Sequence, residues 1–269
     1  MEVSVSQYFN LKDKAAIVTG GQAGLGYDIA CVLAEAGCDI ILTSRNAEKL
    51  ENSVENIKSC FKTDALALQM DQRCYDQVEK MVDTARAWKG HIDICVNNAG
   101  GGSGSGEGHF LKRPHEDIVD MVMTNLVGVL FCSQLVGRVM AEQKHGKIIN
   151  IASIAGIVGR DRETYRRTNK MEQPVDYAAA KAGVVGMTRD LAAFMAPYCV
   201  QVNCISPGGF DKGDLPEEFV NAYSNMTPMR RMGIIGSDIK GAALFLASSA
   251  SDYVTGHNLV VDGGFSVCK

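Results

Sequence analysis

The chain of 269 residues carries 27 basic and 31 acidic side chains, a net charge of −4, without a basic arm or long like-charge run, which argues against a nucleic-acid partner. Nine cysteines, an odd number scattered from Cys31 to Cys268 with no Cys-x2-Cys pair, fit neither a disulfide framework nor a zinc site; reduced thiols in a cytoplasmic protein are the simpler account. The five histidines show no ligand spacing, so no metal is expected, and the length suits one large α/β domain without a composition break.

The amino terminus lacks the basic start and apolar stretch of a secretory signal. Ala15–Thr19 is a continuous apolar run, as in a strand of a parallel sheet covered on both faces. It stops in Gly20-Gly-Gln-Ala-Gly-Leu-Gly26, the pattern Gly-x3-Gly-x-Gly, and restarts as a helix-like segment through Ala36. Such a turn bends sharply and lets a pyrophosphate approach the N–H groups that open the helix. A strand-to-helix turn that merely needs glycine has the same pattern. Asp39–Arg45 supplies a second strand, completing a βαβ unit. Ser44 and Arg45 stand where an acidic residue would bond the ribose hydroxyls, and an arginine suits a 2′-phosphate, so NADP(H) is favoured over NAD(H), which stays possible. A charge-assisted Arg–phosphate contact, worth about 1.5–3 kcal/mol, shifts preference roughly tenfold to a hundredfold. A solvated arginine at a strand end is the alternative.

Asn46–Phe61 and Tyr75–Trp88 read as amphipathic helices around a third strand, Ala65–Met70, after which the Asp71 carboxylate is placed to reach an adenine amino group. His91–Val96 is a fourth strand feeding Asn97-Asn-Ala-Gly100. Those asparagines can brace the sheet edge while the backbone faces a cofactor, or serve the turn conformation alone. Gly101–Gly108 is too poor in side chains to pack and reads as a flexible lip. Met121–Met140 is the most membrane-like segment, but Asn125, Gln134 and Arg138 interrupt it, and it reads as a helix buried in protein, with no membrane partner. Gly146–Ala152 is a fifth strand with Ser153 at its end; Arg160–Asp176 is a charged, exposed excursion. Tyr177–Ala196 is helical, Val200–Ile205 a sixth strand with Pro207-Gly-Gly209 at its end, Pro216–Ser224 and Ile239–Ser249 helices, and Asn258–Asp262 a last strand.

Tyr177-Ala-Ala-Ala-Lys181 puts a phenol and an ammonium on one helix face about one turn apart. A tyrosine pKa of about 10 is too high for ready proton exchange at neutral pH; lowering it by about three units takes roughly 4 kcal/mol, which a cation at about 4 Å supplies at an effective dielectric near 20. A surface Tyr and Lys are the bland alternative.

Taken together, Thr19-Gly-x3-Gly-x-Gly26, Asn97-Asn-Ala-Gly100, Asn125, Ser153, Tyr177-x3-Lys181 and Pro207-Gly208 resemble the short-chain dehydrogenase/reductase family over about residues 11–265. The resemblance implies a single-domain Rossmann fold, a seven-stranded parallel doubly wound sheet with helices on both faces. A nucleotide-binding half would span about 11–105 and a catalytic half about 106–269. It implies that Tyr177 is the general acid/base, that Ser153 holds the substrate oxygen, that Lys181 binds the nicotinamide ribose and depresses the Tyr177 pKa, and that Asn125 kinks its helix and holds a relay water. Gly20, Gln22, Gly24, Leu25, Gly26, Ser44, Arg45, Asp71, Gln72, Asn98, Ala99, Gly100, Tyr177, Lys181, Pro207 and Gly208 would surround the cofactor. The second basic position of the NADP(H) subgroup, just before Gly24, is Ala23 here.

Ser153 and Tyr177 are 177 − 153 = 24 positions apart, about twice the family's usual separation, so about 160–174 is an inserted loop beside the active site. Pro207-Gly-Gly-Phe210 also lacks the usual following threonine. These features, with Gln173–Tyr177 and Pro216–Phe219, look like members acting on sugars and sugar acids, including gluconate 5-dehydrogenase-like proteins. The reading is a dehydrogenase/ketoreductase moving a hydride between NADP(H) and a ketone or secondary alcohol on a polyhydroxylated or acidic small molecule. Alternatives are a 3-oxoacyl thioester or steroid ketone reductase, or a catalytically silent nucleotide sensor. Arg162, Arg166, Arg167 and Lys170 suit a carboxylate or phosphate, or a solvated, self-paired loop equally well. The apolar faces of Met121–Met140 and Tyr177–Ala196 point to a homo-oligomer, dimer or tetramer.

Overall fold

A computed structural model describes residues 4–101, 107–168 and 170–267. In chain order the elements are α1 (Val5–Tyr8), β1 (Ala15–Thr19), α2 (Gly24–Glu35), β2 (Asp39–Ser44), α3 (Ala47–Phe61), β3 (Ala65–Gln69), α4 (Tyr75–Lys89) and β4 (Ile94–Asn97). There follow α5 (His115–Val122), α6 (Gly128–Gln143), β5 (Gly146–Ile151), α7 (Arg162–Arg167), α8 (Val175–Met195), β6 (Val200–Pro207), β7 (Phe210–Asp211), α9 (Glu217–Met226), β8 (Gly233–Ile234), α10 (Lys240–Ala247) and β9 (Asn258–Val261). Seven parallel strands form one sheet in the order β3-β2-β1-β4-β5-β6-β9. The seven strands coincide with the seven apolar runs of the sequence. The two-residue pair β7–β8 was too short to leave a pattern.

Because side chains alternate along a strand, each central strand feeds both faces of the sheet. Ala16, Val18, Ile40 and Leu42 pack with Ile29 and Leu33 of α2, Leu50 and Ile57 of α3, and Leu246 of α10. Ile17 and Ile41 point the other way, with Val78 and Met81 of α4, Leu135 and Met140 of α6 and Met195 of α8. Every residue of β1 is fully buried, and each large aliphatic side chain so placed stabilises the fold by about 1.5–3 kcal/mol. This Rossmann-like α/β fold is the one the sequence implied.

Three expectations change. The excursion at 160–174 holds a helix, α7, with Thr164 buried beneath it and the Tyr165 ring 5.3 Å from that of Phe219 on α9, so apolar residues spaced among the charges anchor it. Met121–Met140 is not one continuous buried helix: Gly128 N–H reaches back five residues to the Met123 carbonyl, a π-turn that separates α5 from α6. His115–Gln143 has the length and mean hydropathy (1.6) to cross a membrane, yet only a third of its most apolar window is buried; Val119 and Leu130 are exposed. Most of the Gly101–Gly108 lip lies outside the described residues, but its ends are held: Gly101 N donates to Asn125 Oδ1 at 3.0 Å, and a Cβ on buried Gly108 would come within 2.3 Å of the Glu172 carbonyl.

Candidate active site

Strand order reverses at β1, whose neighbours are β2 on one side and β4 on the other, and a cleft of about 680 Å³ opens there at the carboxyl ends of the strands. Gly20 and Gly24 adopt φ of +65° and +57°, the left-handed region open to glycine, and turn the chain sharply into α2. A Cβ on Gly26 would lie 2.6 Å from the Gly20 carbonyl and 2.3 Å from Asn98 Nδ2, so this glycine lets helix, turn and β4 close on one another. Ala23 offers no side-chain cap, leaving the opening N–H groups of α2 to face the cleft at Gly24, Leu25 and Gly26. That end attracts negative charge.

The turn after β4 is tied to the turn after β1. Thr19 Oγ1 accepts from Asn98 N and Ala99 N at 3.0 and 2.9 Å, and Asn98 Nδ2 donates to the Thr19 carbonyl at 2.9 Å. Asn97 braces the sheet from below, donating to Asn150 Oδ1 and Ser133 Oγ at 2.8 and 3.0 Å; Asn150 in turn donates to Thr188 of α8. Ala99 and Gly100 thereby line the cleft.

Farther along the cleft lie Gln22, Ser44, Arg45, Asp71, Gln72 and Gly208, all expected from the sequence. Asp71 is not a free carboxylate: Arg73 NH2 lies 2.6 Å from it, and the Arg73 hydrogen bonds hold it below the usual carboxylate range. Three buried polar atoms of the lining, Gln22 Oε1, Thr43 Oγ1 and Gln72 Oε1, have no partner among the described residues, which fits a polar ligand such as a dinucleotide. Lys212 extends the basic surface: a Cβ on Gly24 would lie 3.7 Å from its Nζ. Lys212, and Arg113 deeper in the cleft, come from loops remote in sequence, and no spacing marks them.

At the inner end, Tyr177 lines the cleft on α8, hydrogen-bonded to Ser153 at the end of β5. Ser153 Oγ also accepts from Ala155 N at 3.1 Å. Lys181, one turn on, is buried and donates to the Ile151 carbonyl at 2.7 Å, its Nζ 5.8 Å from the Tyr177 ring centre. Gly100 separates it from Asn125: a Cβ there would lie 2.6 Å from Asn125 Oδ1 and 3.7 Å from Lys181 Nζ. Asn125, within the π-turn, spends its amide on Gly101 and Met121, donating to both carbonyls at 3.1 Å. Lys181 is buried beneath Tyr177 and Pro207 is buried as the last residue of β6, whereas Ser153, at the end of β5, is only partly buried.

The electrostatics differ from the expected lysine–tyrosine couple. Burial pushes the Tyr177 phenol above its ordinary value of 10, opposed by the Ser153 hydrogen bond and by the charge of Arg160; Lys181 is not among the groups acting on it. Lys181 is itself brought down to about 8 by burial. The ammonium points at the Ile151 carbonyl beneath the ring. At neutral pH Tyr177 is an O–H donor.

The rest of the chain points the same way. Residues 20–266 match the family model described as enoyl-(acyl carrier protein) reductase. Over 263 residues, 96% of this chain and 97% of the other, the chain is 35% identical to 2-dehydro-3-deoxy-D-gluconate 5-dehydrogenase of Escherichia coli K12. It is 34% identical over 260 residues, 95% of this chain and 98% of the other, to the 3-oxoacyl-(acyl-carrier-protein) reductase FabG of Chlamydia muridarum. The crystal structure of a gluconate 5-dehydrogenase from Burkholderia cenocepacia J2315, in complex with NADP and tartrate, superposes with a TM-score of 0.88 at 33% identity, covering 99% of this chain and 100% of that one. A match that runs nearly end to end, on the same sheet, establishes the kinship: the chain belongs to the short-chain dehydrogenase/reductase family.

Proposed function

We propose that the protein is an NADP(H)-dependent reductase of a ketone to a secondary alcohol on a sugar-acid-like small molecule, and that it works in the cytoplasm. The observation that carries the reading is Tyr177, an O–H donor hydrogen-bonded to Ser153, at the inner end of a cleft whose other end is a glycine turn, a helix N-terminus and Arg45. The cofactor supplies the hydride when bound. Gly20–Gly26 and the start of α2 hold its pyrophosphate, Arg45 a 2′-phosphate, and Asn98–Gly100 the nicotinamide side. Ser153 orients the carbonyl oxygen and Tyr177 gives it the proton that completes the alcohol. Burial holds the phenol in its protonated form at neutral pH, with the Ser153 hydrogen bond and the charge of Arg160 acting in the opposite sense. Lys181, under the Tyr177 ring, is placed to hold the ribose. The sugar-acid class is supported by the gluconate-type relatives at 33–35% identity.

NADPH consumption against keto-sugar acids, neutral keto-polyols, 3-oxoacyl thioesters and steroid ketones tests this. Turnover of keto-sugar acids is expected, falling about 10²- to 10⁴-fold in Tyr177→Phe while NADPH still binds. Turnover confined to thioesters would transfer the protein to the acyl-carrier reductases, a reading that the Chlamydia relative keeps in play. Tight NADPH binding without any turnover would point to a nucleotide sensor. The exposed apolar residues Val119, Leu130, Val175 and Phe194 on α5, α6 and α8 support a dimer or tetramer; monomers in sedimentation at micromolar concentration would remove that element.

A further inference from the structure

The arginines of the 160–174 segment, which the sequence offered as anion-binding groups, are spent on its own acids. Arg166 Nε lies 2.9 Å from Glu172 Oε1, Arg162 NH1 3.5 Å from Glu172 Oε2, and Arg167 Nε 4.0 Å from Glu163 Oε1. The cleft is different. Among the described residues three basic side chains line it, Arg45, Arg113 and Lys212. Arg113 is taken by Asp176, with Nε 2.9 Å from Oδ1. Arg45 stands past the end of β2, its carbonyl accepting from Gln69 Nε2 of β3 at 3.0 Å, on the side where the adenosine ribose and its 2′-phosphate belong. Lys212 comes from the β6 side of the cleft.

The backbone that carries Lys212 is held at several points. As the chain leaves β6, Gly208 N donates to the Val261 carbonyl at 2.9 Å, and Gly209 N donates to the hydroxyl of buried Tyr223 at 2.7 Å. β7, which ends one residue before Lys212, pairs in parallel with β8. Beyond β8, Gly236 N donates to Asp28 Oδ2 of α2 at 2.7 Å, so this two-stranded flap is tied to the helix whose N-terminus opens into the cleft. Phe210, Lys212 and Ile235 of the flap share the cleft lining with Gly24, Leu25 and Gly26. The lysine reaches back over the helix start: its Cε and Nζ both lie 3.7 Å from where a Cβ on Gly24 would be. The carboxylate beside it, Asp211, accepts from Gly213 N at 2.8 Å within its own loop.

The N–H groups that open α2 attract an anion from one side, and Ala23 adds no charge to them. Lys212 brings a full positive charge from the other side. An ammonium on a flexible stem acts as a point charge and suits the spread charge of a diphosphate, whereas the planar fork of arginine suits the terminal oxygens of a 2′-phosphate.

We infer that Lys212 is a cofactor-binding residue, the cation that closes over the diphosphate bridge of NADP(H) from the flap, while Arg45 reads the 2′-phosphate. This rests on the NADP(H) reading of the cleft and divides its labour: Lys212 sets how tightly a dinucleotide is held, and Arg45 which dinucleotide is chosen.

Four nucleotides separate the phosphates. NADPH, NADH and ADP-ribose carry the diphosphate, and of the four only NADPH and 2′-AMP carry the 2′-phosphate. Affinities are measured by nucleotide fluorescence and by displacement of bound NADPH, for wild type, Lys212→Met and Lys212→Arg. Lys212→Met is expected to weaken NADPH, NADH and ADP-ribose by one common factor of about 5- to 20-fold and to leave 2′-AMP within about twofold, with Lys212→Arg close to wild type. The loss is expected to shrink as salt rises. Because Lys212 is exposed, the melting temperature of the free protein is expected to stay at its wild-type value. Unchanged ADP-ribose affinity in Lys212→Met, or a loss confined to NADPH and 2′-AMP, would overturn the assignment. If the wild type binds these nucleotides but reduces no ketone, the reductase reading falls by itself and Lys212 is judged on the same affinities. A wild type that binds none of them overturns the assignment together with the cofactor reading.

Discussion

Arg113 and Asp176 form the ion pair on which the inner end of the cleft depends. Arg113 Nε lies 2.9 Å from Asp176 Oδ1 and donates to Oδ2 at 3.0 Å, with the two side chains 2% and 6% exposed. The same guanidinium donates through NH1 to the Glu107 carbonyl at 2.7 Å and through NH2 to the Asp117 carbonyl at 3.3 Å. It thus joins the far end of the glycine-rich segment, the start of α5 and the residue immediately before Tyr177. Arg113→Met leaves a carboxylate buried without its cation, a loss of about 3–5 kcal/mol. In a chain of this size that is a fall in melting temperature of roughly 6–20 °C. Arg113→Met with Asp176→Asn removes both charges and should recover most of the loss, because the desolvation cost goes with the attraction. Urea unfolding of the wild type, two single variants and the double variant gives the cycle; a coupling of about 2–3 kcal/mol is expected. Single variants that each lose under about 1 kcal/mol, or losses that simply add, would refute the argument.

Arg45→Asp removes a cation from the cleft edge and places a carboxylate where a 2′-phosphate would sit; NADPH affinity is expected to fall about 10- to 100-fold, with NADH improving, as measured by nucleotide fluorescence titration. Unchanged relative affinities would remove Arg45 from cofactor selection. Lys181 is brought to about 8 in the folded protein against 10.5 as the ordinary value, so between those values the unfolded chain binds more protons and stability rises with pH. Relative to Lys181→Met, the wild type should gain about 3 kcal/mol across that window in chemical unfolding, and a constant difference would show that the lysine is not held in its neutral form by burial.

What the sequence made legible was whatever is encoded locally. The central strands, buried on both faces, leave largely apolar runs, and the edge strands β3 and β9, only partly buried, were still readable from the apolar residues they carry. Gly20, Gly24 and Gly26 announced the turn because the first two take positive φ without strain and a side chain on Gly26 would collide with the Gly20 carbonyl and Asn98. Ser153, Tyr177 and Lys181 were identifiable as residue types at fixed positions, but their electrostatics were not. The dominant charge on Tyr177 comes from Arg160, 17 positions earlier in sequence (177 − 160), and which way Lys181 points is decided by the Ile151 carbonyl beneath it. Likewise Asp71 was visible, whereas its capture by Arg73 depends on how a loop closes. Charge composition alone made the insertion look solvent-exposed; Thr164 and Tyr165, which pin it, are single residues without a period.

This division has a physical logic. The groups proposed to move the proton are braced by a buried polar chain, Asn97 to Asn150 to Thr188, that crosses from β4 through β5 to α8, so their geometry is set by the sheet itself. The insertion is held differently, by Tyr165 on Phe219 and by Phe219, Tyr223 and Phe265 in a small apolar cluster separate from the two main core layers. A loop anchored on its own cluster can change its charges without straining the sheet. In this chain, then, the Tyr177 end of the cleft is tied to the sheet through a buried polar chain, while the 160–174 segment is anchored on a cluster of its own.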